Sequence, residues 1–347
     1  MAQLTSVASA GSGKVAAILP DTTTSTRYVE FDAPDITDAL SKAGVSSSDI
    51  VVQNAHGSDS TQLTLAQQDI TNGAKVLLVD PLDSGVGAQI ENYARAHGVA
   101  VIDYDRITLG GSRTYYVSFN NVVVGTVMGQ GLVSCVAAWH VSKPQVVVMH
   151  GAVTDNNATL FAQGYNGVMQ QYFNSGAWVK VVATAGTWDP PTAETEFQTA
   201  YTAHNNINAA LIPNDTTAAP IITYLKTLHI NPRTFPTTGQ DASLTGLQNV
   251  LTGYQCGSVY KPVYIEAQAA VALALYLRAN QTPPAGLLNG TTTDTTAHVA
   301  VPSSLLTPTW VTTTNMNATV VKDNFVPASQ LCAGSFASAC TAAGITP

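Results

Sequence analysis

The feature that constrains this chain most is a repeating alternation of short apolar runs with segments of helical spacing. The first half carries "VAAIL" (15–19), "IVVQN" (50–54), "VLLV" (76–79), "VAVIDY" (99–104) and "YYVSF" (115–119). The second half carries "VVVMH" (146–150), "VKVVATA" (179–185), "AALIP" (209–213), "TFPTTG" (234–239) and "GSVY" (257–260). Segments such as "TLAQQDITNG" and "GAQIENYARAHG" lie between them, and Gly73 and Gly98 stand where helix C-terminal glycines belong. Strand, helix, strand, repeated along the chain, predicts an α/β protein whose parallel sheets are covered on both faces.

A second regularity divides the chain. "VLLVDPLDSG" runs off its strand at Asp80, and "VIDYDR" does so at Asp105; "ALIPNDTTAA" and "TTGQDAS" repeat this at Asp215 and Asp241. The spacings are 25 and 26 residues, and the two pairs lie about 135 residues apart. With 347 residues available, this predicts two similar doubly wound parallel-sheet domains rather than one large sheet.

Composition narrows the partners. Net charge is −8 with no basic cluster, which argues against nucleic acid. The most apolar segment, "VYIEAQAAVALALYLRAN", is interrupted by Glu266 and Arg278 and predicts a buried helix rather than a membrane span. Only 10% of residues are charged, and Thr, Ser, Asn and Gln take the place of Lys and Glu, a coat common in exported proteins. Cys332 and Cys340 lie eight apart in a small-residue tail and could close a loop, leaving Cys135 and Cys256 for each other; four cysteines allow three connectivities, and free thiols are the alternative. Met1 is followed by a small polar stretch, so an extracytoplasmic location would rest on a signal or lipid anchor outside these residues, and residues 1–13 are expected to be disordered.

In open parallel sheets ligands bind beyond the carboxyl ends of the strands, where helix N-termini open. At those ends stand Arg27 and Tyr28 in "PDTTTSTRY", Asp105 and Arg106 in "VIDYDR", Asp155, Asn156 and Asn157 in "HGAVTDNNATLF", Trp188 in "AGTWDPP", Asn214 in "IPND", Asp241 in "GQD" and Lys261 in "SVYKP". Carboxylates accept, Arg and Lys donate, and Asn does both, which matches the hydroxyls of a sugar. Asp105 and Arg106 are expected to keep one another ionised, and Trp188 and Tyr28 to sandwich a pyranose ring. Each feature has a plainer reading: a solvated Asp-Arg pair, an Asn helix cap, a packed Trp, an idle Lys. Their joint placement at strand ends favours a site. Of the sequons at Asn157, Asn214, Asn280, Asn289 and Asn317, the first two coincide with it and read as ligand contacts.

At these residues the sequence resembles the periplasmic sugar-binding proteins of ABC importers, of the ribose type and nearest their D-xylose-binding branch. The stretches that carry the resemblance are "VIDYDRI", "YYVSFNNVVVG", "VTDNNATLFAQG", "NDTTAA", "TGQDASLTGLQNVLTG", "SVYKP", "VPSSLLTP" and "VVKDNF", in family order from about residue 14 to about 331. The resemblance implies a type I binding-protein fold with two lobes, residues 14–119 plus 262–304 and 120–261 plus 305–331, followed by a Cys-containing extension, 332–347. Hinge crossings would fall near Phe119–Asn120, Tyr260–Lys261 and Ser304–Leu306. It assigns Arg27, Asp105 and Arg106 as sugar contacts of the first lobe, Asp155, Asn157, Trp188, Asn214 and Asp241 as those of the second, and Lys261 to the hinge. Tyr28 stands where the family loop has a Trp. The implied protein is a monomer without cofactor that closes on a xylose-like monosaccharide and delivers it to a membrane permease; another pentose, a hexose, a polyol, or service as a sugar sensor for a membrane receptor are the alternatives.

Other classes fit less well. A glycosidase would need a carboxylic acid of raised pKa, and Asp105, Asp155 and Asp241 all stand in polar or cationic company. The seven histidines show no metal-ligand spacing, and no nucleophile elbow is present. "SAGSGKV" lacks the leading Gly of a phosphate loop and precedes the first strand. A repressor would need about sixty residues of DNA-binding helices before a strand that here starts near residue 14.

Overall fold

In this computed structural model, which describes residues 1–346, the apolar runs become strands β1 (Lys14–Leu19), β2 (Ile50–Asn54), β3 (Ala74–Val79), β4 (Ala100–Tyr104), β5 (Tyr115–Phe119), β6 (Gln145–Val148), β7 (Val179–Ala183), β8 (Ala209–Leu211) and β9 (Ser258–Tyr260). Three further strands follow, β10 (Gly290–Asp294), β11 (Val299–Leu306) and β12 (Thr309–Val311). The helices are α1 (Thr5–Ala10), α2 (Ala33–Lys42), α3 (Asp59–Thr71), α4 (Ser84–Ala96), α5 (Asn121–Ala138), α6 (Asn156–Asn174), α7 (Pro190–Ala203), α8 (Asp215–Thr227), α9 (Leu244–Leu251), α10 (Val263–Arg278), α11 (Ala328–Leu331) and α12 (Ala337–Ala342). The chain forms two units: Met1–Asn120 with Thr154–Asn157 and Val263–Leu306, and Asn121–Val153 with Ala158–Pro262 and residues 307–346.

The first unit is built on a seven-stranded sheet of order β10-β11-β5-β4-β3-β1-β2. All neighbours pair in parallel except β10, which runs antiparallel to β11. Period-two alternation sorts its side chains into two cores. Val15, Ala17, Leu19, Val76, Leu78, Ile102 and Tyr104 meet α2 and α10 on one face. Ala16, Ile18, Leu77, Val79 and Val101 meet α3 and α4 on the other. The chain leaves β1 for β2 on one side and returns to place β3 on the other, so β1 and β3 flank a topological switch point, where such sheets bind ligands.

The second unit repeats this plan. Its sheet runs β7-β6-β8, again with the second strand on one side and the third on the other. Residues 234–239, expected as a strand, contribute only isolated parallel bridges, Ala210 with Thr237 and, just beyond, Gln240 with Val259. Pro236 has no N–H to give a ladder, although its carbonyl accepts from Ala210 N at 2.9 Å. β9 closes the series and pairs antiparallel with β12.

Residues 1–13 are not disordered. They include α1, which lies on α10 with Ala8 buried, and Arg278 donates to the carbonyls of Ala8 and Gly13 at 2.8 and 2.7 Å. The cysteines are paired 135–256 and 332–340. The first bond ties the end of α5 to the approach to β9. The second lies in a tail that belongs to the second unit: Leu331, Cys340 and Ile345 are buried, and Asn317 Nδ2 donates to Gly344 O at 2.8 Å. Helix α5 is long and apolar enough to cross a membrane by length and composition, but half of it is buried within the protein.

Candidate functional site

All ten candidate side chains are buried, including six that carry formal charge, in a chain with few charges to place. Buried charge is costly unless paired, so the pairing explains the arrangement.

In the first unit, the loop after β1 leads through a short π-helical turn, Tyr28–Asp32, into α2. This delivers Arg27, 1% exposed, into a set of three carboxylates. Nε and Nη2 form a fork on Asp32 at 2.8 Å each, Nη1 donates to Asp105 Oδ1 at 2.8 Å, and Nη2 also donates to Glu266 Oε2 at 2.7 Å. Tyr104 adds its hydroxyl to Asp32 at 2.5 Å. Arg27 therefore directs its donors to carboxylates and holds Asp105 in place.

Arg106 takes different partners from those its neighbour suggests. The Asp105 carboxylate is claimed by Arg27, while Arg106 Nε lies 3.2 Å from Asp155 and 3.6 Å from Asp80. Arg106 Nη2 donates to the Tyr28 hydroxyl at 2.8 Å, and both guanidinium groups sit 5.8 Å from the Tyr28 ring centre. The Tyr28 ring thus packs against both cations inside the fold. The cause of the divergence is local: Asp105 adopts φ +59°, the left-handed region Asp tolerates, and the two successive side chains turn apart. The Asp105 carbonyl accepts from Ser118 Oγ at 2.7 Å, Tyr116 OH at 2.9 Å and Asn157 Nδ2 at 2.9 Å.

Asp155 and Asn157 were expected with the second lobe. The structure groups Thr154–Asn157 with the first unit, through Arg106–Asp155 and Asn157–Asp105. Asp155 Oδ1 also accepts from Asn157 N at 2.8 Å.

Sequence reasoning left out Asp32, Asp80 and Glu266. Glu266 was visible as a lone acid in the most apolar helix. Asp80 was visible as a strand-end acid; both its oxygens are buried without a hydrogen-bond donor. Burial pushes Asp80 well above the usual carboxylate range, with Arg106 opposing and Asp105 adding to the rise. Asp80 was not among the three acids weighed above for a glycosidase, Asp105, Asp155 and Asp241. Five carboxyl groups surround two guanidinium groups, so this half presents donors and acceptors together with an excess of negative charge.

In the second unit Trp188 precedes α7 and lies edge-on to Phe161, ring centres 6.4 Å apart. A Cβ at Gly151 would stand 2.2 Å from the indole, so that glycine is what lets the ring approach the backbone. Asn214 caps α8: its Oδ1 accepts from Thr217 N at 2.9 Å and Thr217 Oγ1 at 2.7 Å. Asp241, at φ +84°, pairs with Lys261 at 3.0 Å. Asp215, next to Asn214, was also left out of the candidate set. It is buried, accepts from Gln255, Ser258 and Ser243, and burial pushes it up to about 7.

Known proteins place these two sets of residues in a family. Residues 16–282 match the model of the periplasmic binding protein domain. The chain is 34% identical over 286 residues to the D-xylose-binding periplasmic protein of Escherichia coli, covering 81% of this chain and 83% of that one. It is 28% identical to the multiple sugar-binding periplasmic receptor ChvE of Rhizobium radiobacter, covering 93% of each. Among solved structures, a carbohydrate transporter solute-binding protein from Chloroflexus aurantiacus in complex with D-glucose superposes with a TM-score of 0.80, at 27% identity, over 91% of this chain and 97% of that one. The matched span, the repeated sheet plan and the polar groups at both sets of strand ends agree: this chain belongs to the periplasmic binding protein family.

Proposed function

We propose that this protein is the extracytoplasmic solute-binding component of an ABC importer and that it captures a neutral monosaccharide, D-xylose before others, without transforming it. The observation that carries the reading is the pair of buried half-sites of charged and amide groups at strand ends, on a chain whose relative at 34% identity is a D-xylose-binding protein. Arg106, Asp105, Asp155 and Asn157 from one unit, and Trp188, Asn214, Asp241 and Lys261 from the other, are the proposed contacts, with Arg27 and Tyr28 as their supports. The excess of carboxyls over guanidiniums disfavours an anionic ligand such as a sugar acid. The sugar would be held by both units at once, and hinge closure on it would be the state a permease reads. The protein would act as a monomer with no cofactor. A second reading, a broader sugar range, is favoured by the likeness to the multiple sugar-binding receptor and to the glucose complex.

Calorimetry and thermal unfolding against pentoses, hexoses, polyols and sugar acids test this. One neutral sugar should bind at micromolar Kd or tighter and, at about a thousand times Kd, stabilise the protein by roughly 4 kcal/mol. Trp188→Ala and Asp241→Ala should each abolish that response, and Gly151→Ala should weaken it by displacing the indole. The reading fails if no neutral sugar binds, or if both Trp188→Ala and Asp241→Ala respond like the parent. Turnover of the sugar by pure protein would replace it with an enzyme.

A further inference from the structure

Among the described residues no cation pairs with Asp215, which stands one residue behind a proposed contact, yet it receives more hydrogen bonds than any ligand-facing role would leave it. Its Oδ1 accepts from Gln255 Nε2 at 2.8 Å, its Oδ2 from Ser243 N at 2.8 Å, and Ser258 Oγ lies 2.9 Å from both oxygens. Its own N–H donates to Gln240 O at 3.0 Å. Two glycines make room for it: a Cβ at Gly239 would stand 1.9 Å from Oδ1, and one at Gly246 2.0 Å from Oδ2. No other residue type fits either position without moving the carboxylate.

The partners tie together the segments that carry three proposed contacts of the second unit, Asn214, Asp241 and Lys261. Asn214 is the residue before Asp215. Ser243 and Gln240 bracket Asp241, whose N–H is fixed on Val259 O at 2.9 Å. Ser258 begins β9, which ends beside Lys261, the partner of Asp241. Ser258 Oγ also accepts from Ala242 N at 3.0 Å, so the loop on either side of Asp241 is tied to one carboxylate.

We infer that Asp215 is a positioning residue: it sets Asn214, Asp241 and Lys261 in register for the bound sugar by joining the start of α8, the loop 239–243 and the start of β9. This rests on the sugar-binding reading above. A carboxylate serves because every group facing it donates; an amide or a protonated acid would turn a donor toward one of them. Burial raises its pKa to about 7, and the like charge of Asp241 contributes. Asp241 is the titratable group facing it; Gln255, Ser243, Ser258 and Gly246, from the other elements packed on it, carry no charge. Full acceptance therefore requires the ionised form, and sugar affinity should rise as pH increases through neutrality.

The test is the affinity of the purified protein for its best sugar from the panel, from pH 5.5 to 8.5, for the parent, Asp215→Asn and Ser258→Ala, with unfolding of each measured without sugar. The parent should bind more tightly at the alkaline end. Asp215→Asn should lose tenfold or more in affinity at pH 8 with its pH dependence flattened, while its unfolding midpoint stays within a few degrees. Ser258→Ala, the milder change should Asp215→Asn not fold, should lose threefold or more. Parent affinity in both variants overturns the inference, and so does an affinity loss in Asp215→Asn with the parent's pH profile, because that is what a purely structural defect gives. A parent that binds no sugar refutes the function instead.

Discussion

The Arg27 cluster yields a prediction that depends on no ligand. Replacing Arg27 with Met keeps the apolar stem and removes the guanidinium, leaving Asp32, Asp105 and Glu266 without their shared cation in a buried setting. Breaking a buried ion pair from one side costs about 3–5 kcal/mol, because the remaining charge stays uncompensated. Here three carboxylates lose the same partner, so the upper end applies, near 5 kcal/mol. For a domain of about 150–250 residues that lowers Tm by roughly 10–20 °C. Arg27→Lys should recover little, since an ammonium cannot fork onto Asp32 while reaching Asp105 and Glu266. Adding Glu266→Gln to Arg27→Met removes one uncompensated charge and should restore about 1–2 kcal/mol. Urea unfolding followed by circular dichroism, without sugar, gives all four values. If Arg27→Met unfolds within 1 kcal/mol of the parent, or if Glu266→Gln makes it worse, the cluster does not hold the loop after β1 as argued.

Two further predictions concern stability. Asp215 is raised from about 3.8 to about 7 by burial, and Asp80 and Asp103 are raised by the same cause, so the folded state holds protons that the unfolded chain has released between about pH 4 and pH 7. Stability should therefore fall as pH rises through that window, by at most about 4 kcal/mol for Asp215 alone; a urea midpoint at pH 8 equal to or above that at pH 5 would contradict this. The disulfides should differ by loop length: their partners are separated by 121 and 8 residues, so removing the pair 135–256 should cost about 5 kcal/mol and the pair 332–340 about 2–3. Double Cys→Ala variants compared by urea unfolding check the order, and a reversed order would show that chain entropy does not govern them.

Much of the architecture was legible because it is written locally. A run such as "KVAAIL", flanked by helical spacing, has few other folds open to it, and the recurrence of a strand-end Asp exposed the duplication. What escaped depends on distant partners. β10, "GTTTD", is Thr-rich and sits at the sheet edge, so it lacks the apolar signal of an inner strand. Residues 1–13 look like a polar leader until Arg278, far along the chain, donates to the carbonyls of Ala8 and Gly13. The site divides in the same way. Position at a strand end singled out Asp105, Arg106, Asn214 and Asp241 as candidates. The pairing within the site was not legible, because adjacent side chains at the end of a strand point away from one another and find partners on other strands. Asp105 went to Arg27, and Arg106 to Asp155 and Asp80.

Glu266 illustrates why buried charge is the better guide to the site than charge itself. On composition it only breaks an apolar helix and argues against a membrane span. In the fold it is fully buried, 2.7 Å from Arg27, in a place where an apolar residue of the same size would cost nothing to desolvate. Replacing buried ion pairs by well-packed apolar groups is often neutral or stabilising, so stability alone gives no reason to keep three carboxylates around one guanidinium. Holding Asp105 does give one. Its carboxylate is a proposed ligand contact, and Arg27, itself held by Asp32 and Glu266, helps to fix its direction at a left-handed backbone position. Asp215 does for Asp241 what this cluster does for Asp105, with hydroxyl and amide donors in place of a guanidinium. In each unit a buried polar group sets the direction of an acid proposed to contact the ligand.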